Sequence, residues 1–494
     1  STLTFSADEA GRYFILISAT NAGGTTEKEI RIDVFQLDVP TISIADADKG
    51  FKVLQGSELT ITPIVDSFLE TSYSWQINGE DISNELTCTL PTIELGEYQV
   101  RFATHNEDGD DEVTFKVEVC SPDQVDFNWT FLQTEYNMSA GRTIRIKPVD
   151  VNNALDAVYT WTVDNEQVQS GENDTYLFTS EQQGEHTVKV EMKNSYILAT
   201  QTLKVNVCPP AGTYQRKISA TSSASMNKVY EYLPAPGQFI NENHNTITMA
   251  EACTYAEERI NQTAYVSLGG FGGYIIVGFD HSIVNDGDYN IAITGNAFDG
   301  SSEPGIVWVM QDENGDGLPN DTWYELRGSE YGKAETWQDY AVTYHKPTGI
   351  QLPTPWTDNH GQSGSIDYLG AFHRQDYYYP AWVKEKQYTL RGTRLKERNY
   401  DQSGNGTYWV NDSYEWGYAD NFSAIDRLTD DDNYNAGPSD NHFKISHAVT
   451  FDGKDANLKY VDFIKVQVGV NSKSGWLGEI STEVFGIKDF NMLK

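Results

Sequence analysis

The chain repeats itself at long range. Three segments, ADEAGRYFILISATN (7–21), TIELGEYQVRFATHN (92–106) and SEQQGEHTVKVEMKN (180–194), each place Tyr or His two residues after a Gly and Asn ten residues after it. The glycines Gly11, Gly96 and Gly184 lie 85 and 88 residues apart. Between Gly and Asn the side chains alternate, as in Tyr98, Val100 and Phe102, which predicts a strand with one buried face, then a turn and a second strand. A second shared element, YSWQINGE and YTWTVDNE, puts Trp75 and Trp161 86 residues apart. A large aromatic on a central strand fills the space between two sheets. Such a period predicts consecutive β modules. Residues 1–37 lack the Trp element and read as the back half of one module. Residues 38–119 form a second module and 120–208 a third, and the CPPAGT break (208–213) closes the series.

The remaining stretch, 209–494, does not repeat. Short alternating runs such as YIIVGFD, YNIAITGN, GIVWVMQD and FIKVQVGV are separated by Asn/Asp/Gly turns. One helix is expected: Thr248 and Glu251 form a capping box ahead of Ala252, Tyr255, Ala256 and Ile260. Abundant Tyr (29) and Gly (40) with scarce Met (6) favour sheets and turns over helix bundles. The fold class is therefore all-β. The Y-x-W-x-x-x-x-E element with G-x-Y/H and a terminal Asn resembles PKD-like and other immunoglobulin-like β-sandwich modules, a resemblance covering about the first 208 residues. Tandem sandwiches are expected to precede a larger jelly-roll-like β-sandwich with one short helix. Modules of this kind commonly act as spacers.

Charge removes several functions. The formal net charge is −37, which opposes a nucleic-acid partner and an anionic membrane face. No apolar run reaches the length of about 18 residues that a spanning helix needs. The chain opens inside a strand pattern, so it is expected to start within a longer protein whose export signal or lipid anchor lies upstream. Cys88, Cys120, Cys208 and Cys253 are too few for a disulfide scaffold and read as buried thiols, with a Cys208–Cys253 pairing left open. No nucleophile elbow, zincin or P-loop motif is present, and GGFGG (269–273) precedes a strand rather than a helix, so no enzyme class is indicated.

Two features carry candidate chemistry. DENGDGLPND (312–321) presents Asp312, Asn314 and Asp316 at alternate positions before Gly317, the first half of a calcium loop. The carbonyl of Leu318 and the side chain of Asp321 or Glu325 would complete a structural Ca2+ shell. The same pattern also serves as a plain Asn/Asp/Gly turn. The acidic run DRLTDDDNYNAGPSDN (426–441) lacks ligand spacing and reads as a solvated loop. Aromatics gather on polar loops: Trp356 with His360; His373, Tyr377, Tyr378, Tyr379 and Trp382; Trp409, Tyr414 and Trp416. Neighbours on a strand point to opposite faces, so three consecutive tyrosines cannot all turn inward. Rings edged by Asn, Asp, Gln and His suit a ligand with an apolar face and a polar rim. A sugar fits that description, and so does a corrin.

Four segments carry a closer resemblance: YEYLPAPGQFINE (230–242), SLGGFGGYIIVGFD (267–280), GNAFDGSSEPGIVWVMQDENGDGLPNDTWYEL (295–326) and GWLGEISTEVFGI (475–487). They resemble Bacteroidetes cell-surface proteins with PKD-like repeats, and among these the BtuH-type surface lipoproteins that bind vitamin B12 and related cobamides. The resemblance implies a binding protein rather than an enzyme, held on the extracellular face of the outer membrane by an upstream lipoprotein signal. It implies delivery of a cobamide to a TonB-dependent outer-membrane transporter. Ligand contacts are expected from Trp356, His373, Tyr377, Tyr378, Tyr379, Trp382, Trp409, Tyr414 and Trp416. A glycan-binding surface protein or adhesin is the alternative, and a glycan-active hydrolase stands behind it.

Overall fold

The computed structural model describes residues 3–7, 11–34, 37–45, 47–67, 69–121, 124, 127–152, 154, 156–194, 197–242, 244–428 and 438–494. Most of the acidic run at 426–441 lies outside them. The chain forms two compact units, Ser1–Val119 and Cys120–Lys494.

In the first unit, Gly11–Asn21 pairs antiparallel with Gly24–Val34 as a two-stranded ribbon. Phe14, Leu16, Ile17 and Ile30 on it stay exposed, since two strands alone cannot bury a face. The next module is a sandwich. A five-stranded sheet runs in the order Phe51–Leu54, Gly109–Cys120, Gly96–Asn106, Ser72–Ile77, Glu80–Ser83. The pairs Thr41–Ser43 with Ile64–Asp66 and Leu59–Ile61 with Cys88–Leu90 supply its remaining strands. Trp75 is fully buried, 4.5 Å from Phe102, and its indole N–H donates to the Glu85 carbonyl at 2.9 Å.

The second unit opens with the same plan. Its sheet order is Glu135–Ser139, Leu198–Cys208, Gly184–Lys193, Val158–Val163, Glu166–Gly171, and Trp161 is fully buried. The repeated Asn has a local cause. Asn21 accepts the Gly23 N–H at 2.7 Å, Asn106 the Gly109 N–H at 3.0 Å, and Asn194 the Ile197 N–H at 2.8 Å. Each Asn side chain closes the hairpin that follows its strand.

Beyond 208 a six-stranded antiparallel sheet runs Lys228–Leu233, Tyr274–Val284, Tyr460–Val468, Gly305–Met310, Trp323–Leu326, Ala448–Val449. A three-stranded sheet (Ser439–Phe443, Ile291–Gly295, Gly486–Asp489) and a four-stranded one (Ser363–Ile366, Thr354–Asp358, Trp337–His345, Gln387–Arg394) accompany it. Val277, Val307, Ile464, Val342, Phe271 and Tyr344 belong to one core that takes in all three. The chain is all-β, with one α-helix among the described residues. That helix, Met249–Asn261, has the expected capping box: Thr248 accepts the Glu251 N–H and Glu251 accepts the Thr248 N–H. Ala252, Ala256 and Ile260 form its buried stripe.

The module 120–208 is anchored on this larger domain. Glu313, whose side chain is 1% exposed, accepts the Ser139 N–H at 3.1 Å and lies 3.5 Å from the Arg142 guanidinium. Arg142 also donates to the Ala456 carbonyl at 3.1 Å, and Arg145 and Lys147 pair with Asp339. Burial pushes the Glu313 carboxyl up to about 7, even against the pull of Arg142. Cys88, Cys120 and Cys208 are buried and Cys253 is half-buried, with no disulfide between Cys208 and Cys253.

Candidate functional site

The structure separates the aromatics that the sequence groups together. Tyr378, Tyr379, Trp382 and Tyr414 are 2%, 1%, 6% and 2% exposed and belong to the core, not to a ligand face. The three tyrosine hydroxyls are satisfied internally: Tyr378 donates to the His373 carbonyl, Tyr379 to the Glu385 carbonyl and Tyr414 to the Lys396 carbonyl, while the Trp382 indole N–H is buried without a partner. Tyr377 is the half-buried member of its run; the run lies in a loop, not a strand, so the neighbours Tyr378 and Tyr379 are both buried. Trp356 is half-buried and lies flat on Gly364, where a Cβ would come within 2.4 Å of the indole. Trp416 meets His447 at 5.1 Å with the rings tilted, and lines a separate cavity of about 240 Å³ with Tyr289, Arg327, His442 and Lys444.

Trp409 and His373 do fall on one shared surface. The Trp409 indole lies against Gly475, beside Trp476. Trp476 meets Phe372 at 6.1 Å, and the adjacent His373 meets Phe239 at 4.8 Å. Phe239 meets Tyr265 at 5.9 Å, and Tyr265 meets Phe485 at 5.5 Å. Trp476 is 49%, Leu477 41% and Phe372 64% exposed, so this run of rings meets water. Exposed apolar side chains grouped in this way mark a candidate interaction site. Polar groups edge it: His373 pairs with Glu242, and Lys473 with Asp367. Phe239, Tyr265, Phe372, Trp476 and Phe485 were not singled out from the sequence. Phe239 and the Trp476–Phe485 pair lie inside two of the segments that carry the cell-surface resemblance, which is the signal that pointed at them.

Those four segments converge beside the rings. Gly237 approaches so closely that a Cβ there would meet the Glu479 carboxylate at 2.6 Å and the Gly269 backbone at 2.9 Å. Glu479 accepts the Gln238 N–H at 2.7 Å. The Ser481 hydroxyl bonds Ser267 at 2.7 Å and accepts the Gly269 N–H at 3.0 Å. The Ser481 N–H donates to Glu303 at 3.3 Å. At the junction, oxygens of Glu303, Asp420 and Glu483 lie within 4.8 Å of one another, and no other such group of three metal-ligating side chains occurs among the described residues.

Each acid is held from a different element. Glu303 precedes the strand Gly305–Met310, and Glu483 sits on the short strand Glu483–Val484. Asp420, at φ +52°, accepts the N–H groups of Asn296, Ala297 and Glu483 at 2.7, 2.9 and 2.9 Å. Burial pushes Glu303 up to about 7. Burial, and then the Glu303 charge, pushes Asp420 up to about 8 and Glu483 well above its ordinary range. Glu479 rises to about 8, again through burial first and Glu303 among the charges behind it.

The Asp312–Asp321 loop is knit by its own side chains. Asp312 accepts the N–H groups of Gly315 at 2.7 Å and Gly317 at 3.0 Å, and Asn314 and Asn320 both donate to Asp316 at 2.9 Å. The residue that faces Asn314 and Asp316 is thus Asn320. Asp321 turns inward, accepts the Glu313 N–H at 2.9 Å and leaves its Oδ1 buried without a hydrogen-bond partner. Burial pushes its carboxyl up to about 8. Glu325 is engaged elsewhere, by the Thr393 hydroxyl. The Leu318 N–H is bonded to Asp316 at 2.8 Å. Asp316 is exposed while Asp321 turns inward, and Asp312, Asp316 and Asp321 do not gather into a group like that of Glu303, Asp420 and Glu483.

Residues 39–106 and 131–194 match the PKD-like domain family. The second and third repeats are therefore PKD-like modules, and modules of this type point to a surface or binding protein. No curated protein matches the chain. Among solved structures, fibronectin(III)-like modules of Clostridium thermocellum CbhA match at 16% identity, covering 36% of this chain and 100% of that one, with a TM-score of 0.19. A chimeric titin Z1Z2 matches at 19% identity over 35% of this chain and 98% of its own, with a TM-score of 0.21. An endo-fucoidan hydrolase from glycoside hydrolase family 107 matches at 11% identity over 41% and 34%, with a TM-score of 0.19. No helix of the described residues is long and apolar enough to cross a membrane.

Proposed function

We propose that this is a cell-surface binding protein of the BtuH type that captures cobamides and passes them to a TonB-dependent outer-membrane transporter. It binds the ligand without chemistry on it. The PKD-like modules hold the binding domain away from an outer-membrane lipid anchor. The observation that carries the reading is the run of rings from Trp409 to Phe485, half-buried except for the exposed Trp476 and Phe372, placed where the four resembling segments meet. A corrin offers a broad apolar face to such rings and a rim of amides to the polar groups beside them. A structural Ca2+ in the Asp312–Asp321 loop belongs to the same proposal, supported by the orphaned oxygen of Asp321.

Calorimetry with cyanocobalamin on the full chain tests this. Wild type is expected to bind, and the double substitution Phe372→Ala, Trp476→Ala to weaken binding at least tenfold, about 1.4 kcal/mol. Trp416→Ala, in its own cavity, leaves binding unchanged. Absence of any signal at high micromolar cyanocobalamin sinks the cobamide reading. Retardation on polysaccharide gels would then put glycan binding in its place, since the same rings stack sugars.

A further inference from the structure

The half-buried Glu303 and the buried Asp420 and Glu483 come together without a counter-ion, with the buried Glu479 on a neighbouring segment. Asp420 and Glu483 are 1% and 4% exposed, and Glu479 is 5% exposed. No Lys or Arg ion pair reaches Glu303, Asp420, Glu479 or Glu483 among the described residues. Two oxygens stand out. Glu483 Oε1 and Glu479 Oε2 are buried with no hydrogen-bond partner. An orphaned carboxylate oxygen is costly in a protein interior, and the one on Glu483, inside the group of three, needs a cause. Glu479 is not one of the close three. Its other oxygen is fixed by the Gln238 N–H, and it lies near enough to Glu303 for the two charges to repel.

We infer that Glu303, Asp420 and Glu483 hold a divalent cation of the hard, oxygen-seeking class, Ca2+ before Mg2+. The donor set fits. Three carboxylates from separate elements converge on one place. A cage supplied largely by protein oxygens suits Ca2+, whereas Mg2+ keeps several of its waters. All the ligands are oxygen, which disfavours zinc and copper. Glu303 is half-buried and gives the ion a way in from solvent. Asp420 is already oriented by three backbone N–H groups, as a preorganised ligand should be. The ion ties the loop before Gly305, the loop at Asp420 and the strand at Glu483 into one clamp beneath Tyr265 and Phe485. It therefore fixes the ring surface while standing apart from any ligand bound there, and it does not depend on the cobamide reading.

The test uses the full chain stripped with EDTA and dialysed, titrated calorimetrically with CaCl2, then MgCl2, with melting followed in parallel. The stripped wild type is expected to bind Ca2+ with a rise in melting temperature. The double variant Glu303→Gln, Glu483→Gln should lose one equivalent, or bind it at least tenfold more weakly. Asp316→Ala, in the Asp312–Asp321 loop, should keep that equivalent and so separates the two sites. The Gln variants remove mutual repulsion, so metal-free they should melt no lower than metal-free wild type. If the double variant fails to fold, Asp420→Asn takes its place in the same titration. Stripped wild type that binds neither ion, or a variant that retains the full stoichiometry, overturns the proposal and leaves a protonated acid cluster.

Discussion

Tyr378 shows why side-chain chemistry alone misassigns a site. Its hydroxyl donates to the His373 carbonyl and accepts the Leu369 N–H, both at 3.0 Å, and its ring is buried. Tyr378→Ala should destabilise the domain by about 3–5 kcal/mol, read as a lower urea midpoint, and leave the affinity of the folded fraction unchanged. Weakened binding in fully folded protein would instead return this residue to the ligand face. The acid cluster makes a different prediction. In the metal-free protein, Glu303 is pushed up to about 7 and Asp420 and Glu479 to about 8, whereas unfolded carboxyls release their protons near pH 4. Between those limits the folded state holds more protons than the unfolded state. The stabilisation is therefore full below about pH 4 and is lost as pH rises through 7–8. Asp367 acts on Glu479, and Tyr265, with Arg259 stacked on it, lies near Glu483, so these groups share the titration. In EDTA, urea midpoints should fall from pH 5 to pH 8, and Glu483→Gln should flatten part of that fall. Parallel curves for the two proteins would remove the cluster as the cause.

The helix Met249–Asn261 is the element whose local signals agree with its tertiary role. Thr248 and Glu251 cap it, and Ala252, Ala256 and Ile260 face the core. Thr248→Ala removes the hydroxyl that accepts the Glu251 N–H and should cost about 1 kcal/mol, measured by chemical denaturation. The Asp312–Asp321 loop does two jobs. Its Asp and Asn side chains close its own turns, and its neighbour Glu313 reaches the third module. A loop placed against another module is held on both sides, which is why Asp312, Glu313 and Asp321 are buried while Asp316 stays exposed.

The contact between residues 120–208 and the larger domain makes them one compact unit. Arg142 neutralises Glu313 and donates to the Ala456 carbonyl, so Arg142→Ala should lower the stability of a 120–494 fragment by about 1–3 kcal/mol. A 209–494 fragment should melt lower than 120–494, because it exposes the Glu313 pocket and the Asp339 ion pairs. Equal melting temperatures would show that the module is a spacer with no stabilising contact.

Periodicity and turn chemistry are local, so they were readable along the chain. The Gly and Asn of each repeat, the central Trp75 and Trp161, the all-β class and the capped helix each depend on residues within about a dozen positions of one another. The four segments with the cell-surface resemblance meet beside one group of rings, and Trp409 and His373, named from the sequence, lie in that group. The depth of each ring was not readable. Tyr377, Tyr378 and Tyr379 are chemically identical, and only the packing of a distant core decides which of them is buried. Nor could 72 acidic residues be sorted by pattern. Glu303, Asp420 and Glu483 come from separate loops and strands, and only sheet pairing, with glycines at positions such as 237 and 295 to permit close approach, brings their oxygens together. Local backbone preference has no information about such a meeting, because it is created by long-range pairing and packing.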